Sequence, residues 1–371
     1  MPQILLNPKI AVGNKNHVIL SMKIKELTRY LETIAPSSLQ ESYDNAGLIV
    51  GDPNEVISGV LICLDSTEEV IEEAYEKGCN VVVAHHPIVF KGLKKLNGKT
   101  YVERVVMKAI KYDIAIYAIH TNLDNVYYNG VNAKIAERIG LINTRILAPK
   151  SGMKKLFTFV PTEYSEKVRA ALFQAGAGAI PGFEHLSYAS VGVGTQNGSG
   201  GAEVKLEVSF PKNKQRDVVK ALLKNHPSFN VPYDIISIEN QNAEIGSGMI
   251  GELKKPINER DFLEKLKKKM KVGCVRYTKL RRRKVRKVAV CGGAGGFLLN
   301  HAIAQGADIF VTADYKYHEF FDADGKIVIA DIGHYESEQF TIELLYDIIT
   351  KKFSTFAAHF TDVNTNPVNY L

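Results

Sequence analysis

Residues 22–150 alternate continuous apolar runs with segments in which apolar residues recur at helical spacing. The continuous runs predict strands that are buried on both faces, and the amphipathic segments predict helices that cover them. The predicted strands are GVLICLD (59–65), CNVVVAHH (79–86) and IAIYAIHT (114–121). Because helices alternate with these strands, the pattern favours a largely parallel sheet.

The pattern changes in residues 151–245, where two amphipathic helices lie between strands and a Gly- and Ser-rich stretch. The predicted order there, β-α-β-β-α-β, is typical of a small ferredoxin-like α+β unit. Residues 246–371 return to continuous apolar strands and helices. The predicted fold class is therefore α/β, with two lobes (22–150 and 246–371) that form one unit and an inserted domain between them. Residues 1–21 are predicted to be an N-terminal extension.

Composition agrees with a folded chain of several packed units. The chain has 371 residues, of which 45% are hydrophobic and 23% charged, enough for two or three such units. No apolar stretch is long enough to cross a bilayer, and the N-terminal sequence lacks the features of a secretion signal. None of the four cysteines belongs to a C-x-x-C pair. We therefore expect reduced core cysteines in a cytoplasmic protein, with no membrane contact and no zinc ribbon.

Positive charge is concentrated in one part of the chain. The formal net charge is +7, and the densest basic run, KLRRRKVRK (279–287), follows EKLKKKMK (264–271). A solvated helix face and loop is the favoured interpretation, because no aromatic residues interleave these charges as a nucleic-acid stacking surface requires. A nucleic-acid patch is the alternative.

Ionisable side chains follow the carboxyl ends of four predicted strands. In a parallel sheet these ends meet at one edge, where ligands bind. The strand-end sequences are AHH (84–86), AIHTNLDN (118–125), TADYKYHE (312–319) and ADIGHYESE (330–338). Successive residues of an extended chain point in opposite directions. His85 and His86 therefore suit two different targets, although a polar pair in a loop is the alternative.

The remaining strand ends add further donors. His120 and Asp124 follow one strand, whereas His334 and Glu338 lie four residues apart on one face of a predicted helix. The other strand end carries Asp314, Lys316, His318 and Glu319. Buried charges gather in this way only when they are compensated, and a metal ion is the simplest compensation.

The donor types indicate which metal would bind. Histidine with carboxylate and no thiolate suits zinc first, and also iron, manganese or nickel. Two adjacent histidines and two carboxylates favour two divalent ions about 3.5–4 Å apart, with Glu338 or Asp124 as a bridge. Such a pair acidifies water and orients an oxygen-rich substrate. His120 and His318 are candidate catalytic proton shuttles, and the alternative for His120 is to orient Asp124.

Several motifs together resemble one known family. Their order and style are those of the GTP cyclohydrolase 1 type 2 homologue family, also called the Nif-three-like metal-binding proteins, over residues 22–371. The motifs are YDNAGLIVGDP (43–53), AHHPIVFKGL (84–93), IHTNLDN (119–125), TADYKYHEFFDA (312–323) and ADIGHYESE (330–338). The sequence departs from the family at Tyr43, where Trp is usual, and at HPSFN (226–230), where HPYEE is usual.

The resemblance implies a fold, an assembly and a site. The implied fold is two Nif-three-like α/β lobes interrupted by a PII/CutA-like domain, as in the longer bacterial members. The implied assembly is a homohexamer whose metal sites face an internal cavity. The implied site is a dinuclear metal centre close to His120 and held by His85, His86, Asp124, His334 and Glu338.

Three functions are consistent with these residues. The first is a metal-dependent hydrolase, of cyclohydrolase or phosphoesterase type, acting on a nucleotide or another phosphorylated small molecule. The second is a non-catalytic scaffold that stores, delivers or senses a metal. The third is nucleic-acid binding, which depends on the basic stretch 264–287 alone.

Overall fold

The protein is described here by a computed structural model that covers residues 22–180, 183–196, 199–353 and 357–371. The predicted extension, residues 1–21, lies outside the described residues. Within the described part of the chain, no helix has the length and apolar character needed to span a membrane.

Helices and strands alternate along most of the chain. The α-helices are α1 (Ile24–Ile34), α2 (Glu68–Glu76), α3 (Tyr101–Lys111), α4 (Thr121–Asp124), α5 (Val131–Ile139), α6 (Ser165–Gln174), α7 (Gln215–Asn225), α8 (Glu259–Lys269), α9 (Leu299–Ala304), α10 (His334–Glu338) and α11 (Thr341–Lys352). The strands are β1 (Gly47–Val50), β2 (Val60–Cys63), β3 (Val81–Ala84), β4 (Ala115–Ala118), β5 (Leu141–Pro161), β6 (Ser187–Gln196), β7 (Ser199–Pro211), β8 (Tyr233–Asn258), β9 (Arg276–Tyr277), β10 (Lys284–Ala294), β11 (Ile309–Ala313), β12 (Val328–Asp331) and β13 (Ala358–Phe360).

The first sheet has the order β1-β4-β3-β2-β13. Strands β2, β3 and β4 run parallel, β13 pairs in parallel with β2, and β1 is antiparallel to β4. Every residue of β2, β3 and β4 is buried, as expected for continuous apolar runs covered on both faces. Ala84 pairs with Ala118, so β3 and β4 end at the same edge.

The second sheet has eight strands in the order β6-β7-β5-β8-β10-β11-β12-β9. Strands β10, β11 and β12 are parallel, and β8 joins them in antiparallel pairing. The carboxyl ends of β11 and β12 therefore meet at one edge of this sheet. The chain is thus a mixed α/β protein built on two sheets.

Strands β5 and β8 connect the middle segment to the second lobe without a break. They have 21 and 26 residues and pair with each other along most of their length, with register shifts between Pro149 and Lys150 and between Ser151 and Met153. The predicted borders at 150 and 245 fall inside these two strands. The bulges allow one strand to bend from the lobe into the middle segment, so the division into domains stays a prediction.

Hydrophobic packing separates the middle segment from the rest. One large cluster joins residues of both sheets, for example Val83 and Tyr117 of the first and Val311 and Ala330 of the second. A separate cluster lies within the middle segment and includes Phe210 at its centre. The two lobes therefore share one core, which holds their strand ends in fixed positions relative to each other.

Candidate metal centre

His85 is fully buried at the end of β3, and its ring orientation is determined by the backbone. Its amide continues the sheet by donating to the Cys63 carbonyl at 3.2 Å. Its Nδ1 lies 2.8 Å from the Ile119 carbonyl. Because a carbonyl only accepts, Nδ1 carries the proton and Nε2 has a free lone pair. Burial lowers the pKa of His85, so this imidazole is a neutral ligand.

Two buried atoms in this cluster have no hydrogen-bond partner among the described residues. They are Nε2 of His85 and Oδ1 of Asp124, and they lie 3.6 Å apart. An unpaired buried acceptor costs about 1–3 kcal/mol. Two such acceptors that face each other fit a cation that both would bind, because a cation satisfies two lone pairs at once.

Glu338 is the common partner of three histidines. Its Oε2 lies 3.0 Å from Nε2 of His86, 3.2 Å from Nε2 of His334 and 3.8 Å from Nε2 of His85. The side chain of Glu338 is 3% exposed. Its position follows from α10, since His334 and Glu338 are one helical turn apart and face the same way.

The imidazoles of His86 and His334 each contact a further carboxylate through Nδ1, the ring nitrogen that points away from Glu338. Nδ1 of His86 donates to Asp65 at 2.8 Å, and Nδ1 of His334 donates to Asp314 at 2.7 Å. A carboxylate on Nδ1 fixes the ring and directs Nε2 inward, as is common for histidines that bind metal ions. Both imidazoles therefore point their remaining nitrogens at Glu338.

The charges of the cluster are strongly coupled. Burial lowers the pKa of His86 and of His334, but their carboxylate partners raise these pKa values to about 10 and about 11. For Glu338, burial raises the pKa, and hydrogen bonds from the histidines hold it well below its usual range. Burial, and then the charge of Glu338, raise the pKa of Asp124. A divalent ion would replace the inner protons, so its binding would release protons.

Two overlapping groups in this cluster could each hold a metal ion. His85, Asp124 and Glu338 form one group, and His86, His334 and Glu338 form another, with ligand atoms within 4.8 Å of one another. The structure thus brings the five predicted ligands together, and Glu338 is common to both groups. A third group contains His85, His86 and His120.

His120 lies beside the cluster and is held by a buried acid. Its Nδ1 donates to Asp44 at 2.8 Å, and Asp44 also accepts from the amide of Thr121 at 3.1 Å and from its hydroxyl. Burial raises the pKa of Asp44, but these hydrogen bonds lower it to about 2. The rings of His120 and His86 are 5.3 Å apart.

His318, the other predicted proton shuttle, is not brought into the cluster. It is exposed, and its ring contacts Tyr317 at 5.1 Å. The chain leaves β11 through Asp314, whose φ is 59°, and the following 3₁₀ helix, Tyr317–Ala323, carries His318 to the surface. Asp314 is the residue of this strand end that reaches the histidines, whereas His318 lies at the surface.

The last residues of β10 lie close to the predicted ligands. A Cβ added to Gly293, whose φ is +59°, would lie 2.6 Å from Oε1 of Glu338 and 3.1 Å from Cε1 of His334. Only glycine combines this backbone conformation with so close an approach. The glycine-rich turn CGGAGGF therefore forms one wall of the cluster.

A family model for Duf34/NIF3 (NGG1p interacting factor 3) matches residues 22–367. The chain belongs to the Duf34/NIF3 family. Relatives along the full chain agree: this Duf34/NIF3 protein is 37% identical over 372 residues to the "GTP cyclohydrolase 1 type 2 homolog" of Bacillus subtilis (strain 168), covering 95% of this chain and 99% of the relative. The family resemblance predicted from the motifs is confirmed.

Solved structures of Duf34/NIF3 relatives have the same fold. A Bacillus cereus protein related to NIF3 superposes with a TM-score of 0.82 at 37% identity, covering 94% of this chain and 99% of that one. A Staphylococcus aureus protein gives a TM-score of 0.78 at 31% identity, covering 95% of this chain and 99% of that one.

In this Duf34/NIF3 protein, four residues of the cluster line a cavity of about 740 Å³: His86, Asp124, His334 and Glu338. Among the described residues that line it, Arg276 is the one Arg or Lys. Its guanidinium donates to Asp331 and to the Tyr315 carbonyl, and its side chain is 55% exposed.

The sequence patterns did not predict two of the residues that line this cavity, for different reasons. Asp65 ends the predicted strand GVLICLD, so the strand-end signal that identified the histidines could have identified it as well. Arg276 lies on β9, a strand of two residues, and has no sequence signal that distinguishes it from the neighbouring basic residues.

Proposed function

We propose that this protein is a metal-dependent hydrolase that uses two divalent ions and acts on a nucleotide or another phosphoester. The observation that carries this proposal is the pair of overlapping ligand groups that share Glu338. When bound, the ions supply Lewis-acid polarisation of substrate oxygens and lower the pKa of water. The name of the curated relatives, GTP cyclohydrolase 1 type 2 homolog, is consistent with a nucleotide substrate.

The ligands of each ion follow from the two groups. His85 and Asp124 would hold one ion and His86 and His334 the other, with Glu338 as the bridge. Neutral imidazoles and carboxylates without a thiolate suit zinc first, and iron, manganese or nickel next. The unpartnered His85 Nε2 and Asp124 Oδ1 support the first of these ions.

Other side chains of the cavity would bind and orient the substrate. Arg276 keeps part of its guanidinium exposed beside the ligands, and guanidinium is well suited to a phosphate group. The aromatic side chains of Tyr43, Phe90 and Phe297 also line the cavity and are exposed. They offer faces on which a planar base can stack.

His120 is the group proposed to move a proton. Asp44 accepts from Nδ1 of His120, which leaves the other ring nitrogen to exchange a proton with substrate or water. His318 has no part in this proposal, because it is exposed and outside the residues that line the cavity.

A non-catalytic metal-handling scaffold is the second candidate. The burial of His85 and Glu338, at 0% and 3% exposed, favours slow exchange of a bound ion. Turnover of substrate by the metal-loaded protein separates the two candidates, because a storage or delivery protein needs none.

The resemblance also supports proposals about assembly and domains. The strand order β6-β7-β5-β8 and the separate core around Phe210 are consistent with a ferredoxin-like insertion over residues 151–245.

The proposed assembly is a cytoplasmic homohexamer. Mass photometry of the untagged protein tests the assembly, and a monomer or dimer at working concentration would contradict it.

Metal content and activity test the proposed centre together. In protein purified without chelator or nickel affinity, elemental analysis should give two ions per chain. We expect His85→Ala and His86→Ala each to remove about one ion, and Glu338→Gln to weaken both. Each variant should also lose hydrolysis of substrates from a panel of nucleotides and phosphodiesters.

His318→Ala is the matched control, because it removes an exposed histidine that lies outside the cluster. It should keep both ions. Unchanged metal content in the His85, His86 and Glu338 variants would refute the centre. Full metal content without turnover on the panel would favour the metal-handling scaffold.

A further inference from the structure

A second cavity, of about 1340 Å³, lies between α7, the bend of β5 and β8, and the segment Ser38–Gln40. It is separate from the metal centre and shares no lining residue with the first cavity. Among the described residues, every charged side chain that lines it is a cation, and these are Lys150, Lys212, Arg216, Lys220 and Lys224.

Four of these cations form one row. Lys212, Arg216, Lys220 and Lys224 are spaced four residues apart, so they lie on one face of α7 and the turn before it. The row extends over about 18 Å, at 1.5 Å per residue. Like charges at this spacing repel each other and destabilise a helix. Within the described ranges none of the four forms an ion pair, so the repulsion is not relieved by a neighbouring carboxylate.

Lys150 faces the row from β5 and connects the two cavities. It donates to Glu41, which lines the metal cavity and accepts from Asn125 at 3.1 Å. A polyanion in the second cavity would compete with Glu41 for Lys150. The two cavities thus lie on either side of one ion pair.

The rest of the lining combines apolar side chains with uncharged polar ones. Leu39, Val219, Leu223 and Tyr233 provide apolar surface, and Leu223 and Tyr233 are exposed within the lining. Oδ1 of Asn213 is buried and has no partner among the described residues. A ligand that fits this lining combines several negative charges with a flat, partly apolar body.

We propose that this cavity binds a nucleoside polyphosphate. Its phosphates lie along Lys212, Arg216 and Lys220, and its base packs against Leu223 and Tyr233. A row of cations longer than one phosphate suits a chain of phosphates, and the concave, apolar lining suits a small molecule. Single-stranded nucleic acid would need several stacking aromatics along its path, and Tyr233 is the one aromatic residue in the described part of this lining.

Calorimetric titration of the full chain with ATP, GTP, inorganic triphosphate and an oligothymidylate tests the proposal. The titrations are carried out in proteins that also carry Glu338→Gln or Arg276→Ala, so that binding of nucleotide at the metal centre is weakened. We expect both nucleotides to bind. The double variant Arg216→Glu with Lys220→Glu should lower their affinity at least tenfold. Tyr233→Ala should make the affinity for the nucleotides equal to that for inorganic triphosphate.

Lys254→Glu with Lys255→Glu is the matched control, because it changes the net charge equally at exposed positions outside both cavities. It should leave the affinity within about twofold, and both double variants, when made in the wild-type chain, should keep the wild-type metal content. No binding of nucleotide, or binding that Arg216→Glu with Lys220→Glu does not weaken, would overturn the proposal. So would tighter binding of the oligothymidylate than of ATP. These outcomes are independent of whether the metal centre hydrolyses a substrate.

Discussion

Single side chains separate the proposed metal site from a plain set of ion pairs. His86 and His334 each have a carboxylate on both ring nitrogens, which ion pairing alone would explain. His85 and Asp124 differ, because each has a buried atom without a partner. Burying such atoms is costly, and the cost is removed when a cation binds between them.

Asp44 gives a prediction about pH at the residue scale. Its pKa in the folded protein is about 2, and an unfolded aspartate titrates near pH 3.9. Because folding lowers the pKa, ionised Asp44 stabilises the protein fully above about pH 4, and this contribution is lost as the pH falls towards about 2. The shift corresponds to about 2 kcal/mol.

We therefore expect Asp44→Asn to lower the free energy of unfolding by about 2 kcal/mol at neutral pH and by less at about pH 3. Urea unfolding in the presence of chelator measures this without a contribution from metal. Asp347→Asn, at an exposed position on α11, should change little at either pH. A difference between wild type and Asp44→Asn that does not shrink in acid would contradict the assignment.

At the scale of elements, the site depends on how strands end. Strands β3 and β4 deliver His85, His86 and His120 from one sheet, while β11 and β12 lead to Asp314 and α10 from the other. The end of β10 closes the space between them, and it can do so only because Gly293 has no side chain.

Gly293→Ala tests this close approach. A methyl group there would lie 2.6 Å from Oε1 of Glu338, so the carboxylate must move, and a left-handed alanine costs about 1 kcal/mol as well. We expect a loss of stability of at least that size together with weaker metal binding, measured by competition with a chromogenic chelator.

Gly306→Ala separates the two effects. Gly306 also has a positive φ, of +70°, but an added Cβ meets nothing within 4 Å. This variant should lose about 1 kcal/mol of stability and bind metal like the wild type. Equal metal affinity in both variants would mean that the contact with Glu338 is unimportant.

Among the described residues, two of the four hydrophobic clusters have clearly different roles. The larger core joins both sheets and supports the ligands, and the smaller one belongs to the middle segment. Strands β5 and β8 connect the two as continuous backbone. Opening of the middle segment should therefore leave the metal centre in place.

Phe210→Ala tests this independence. Phe210 is fully buried in the smaller core, and its truncation should cost roughly 3–5 kcal/mol. We expect hydrogen exchange to accelerate in β6, β7, α6 and α7 while β2–β4 keep their protection and metal content is unchanged. By contrast, Ile62→Ala in the shared core should accelerate exchange in both lobes. Loss of metal in Phe210→Ala would show that the cores act as one.

Local sequence patterns were enough to predict the types of element and the strand ends that carry ionisable residues. The runs of VLIC, VVVA and AIYA report burial through local periodicity, and β2, β3 and β4 are found where these runs lie. The motifs also identified the family. These features depend on neighbours in sequence, and periodicity describes such neighbours directly.

Which atoms meet depends on packing between segments that are far apart in sequence. That Glu338 contacts His86, 252 positions away in sequence, that Asp65 and Asp314 hold the outer nitrogens, and that His318 lies at the surface are results of packing between the sheets. The continuity of β5 and β8 across the predicted borders is another. Local patterns record burial but not the partner that causes it, so contacts between distant segments follow from the shared core and not from periodicity.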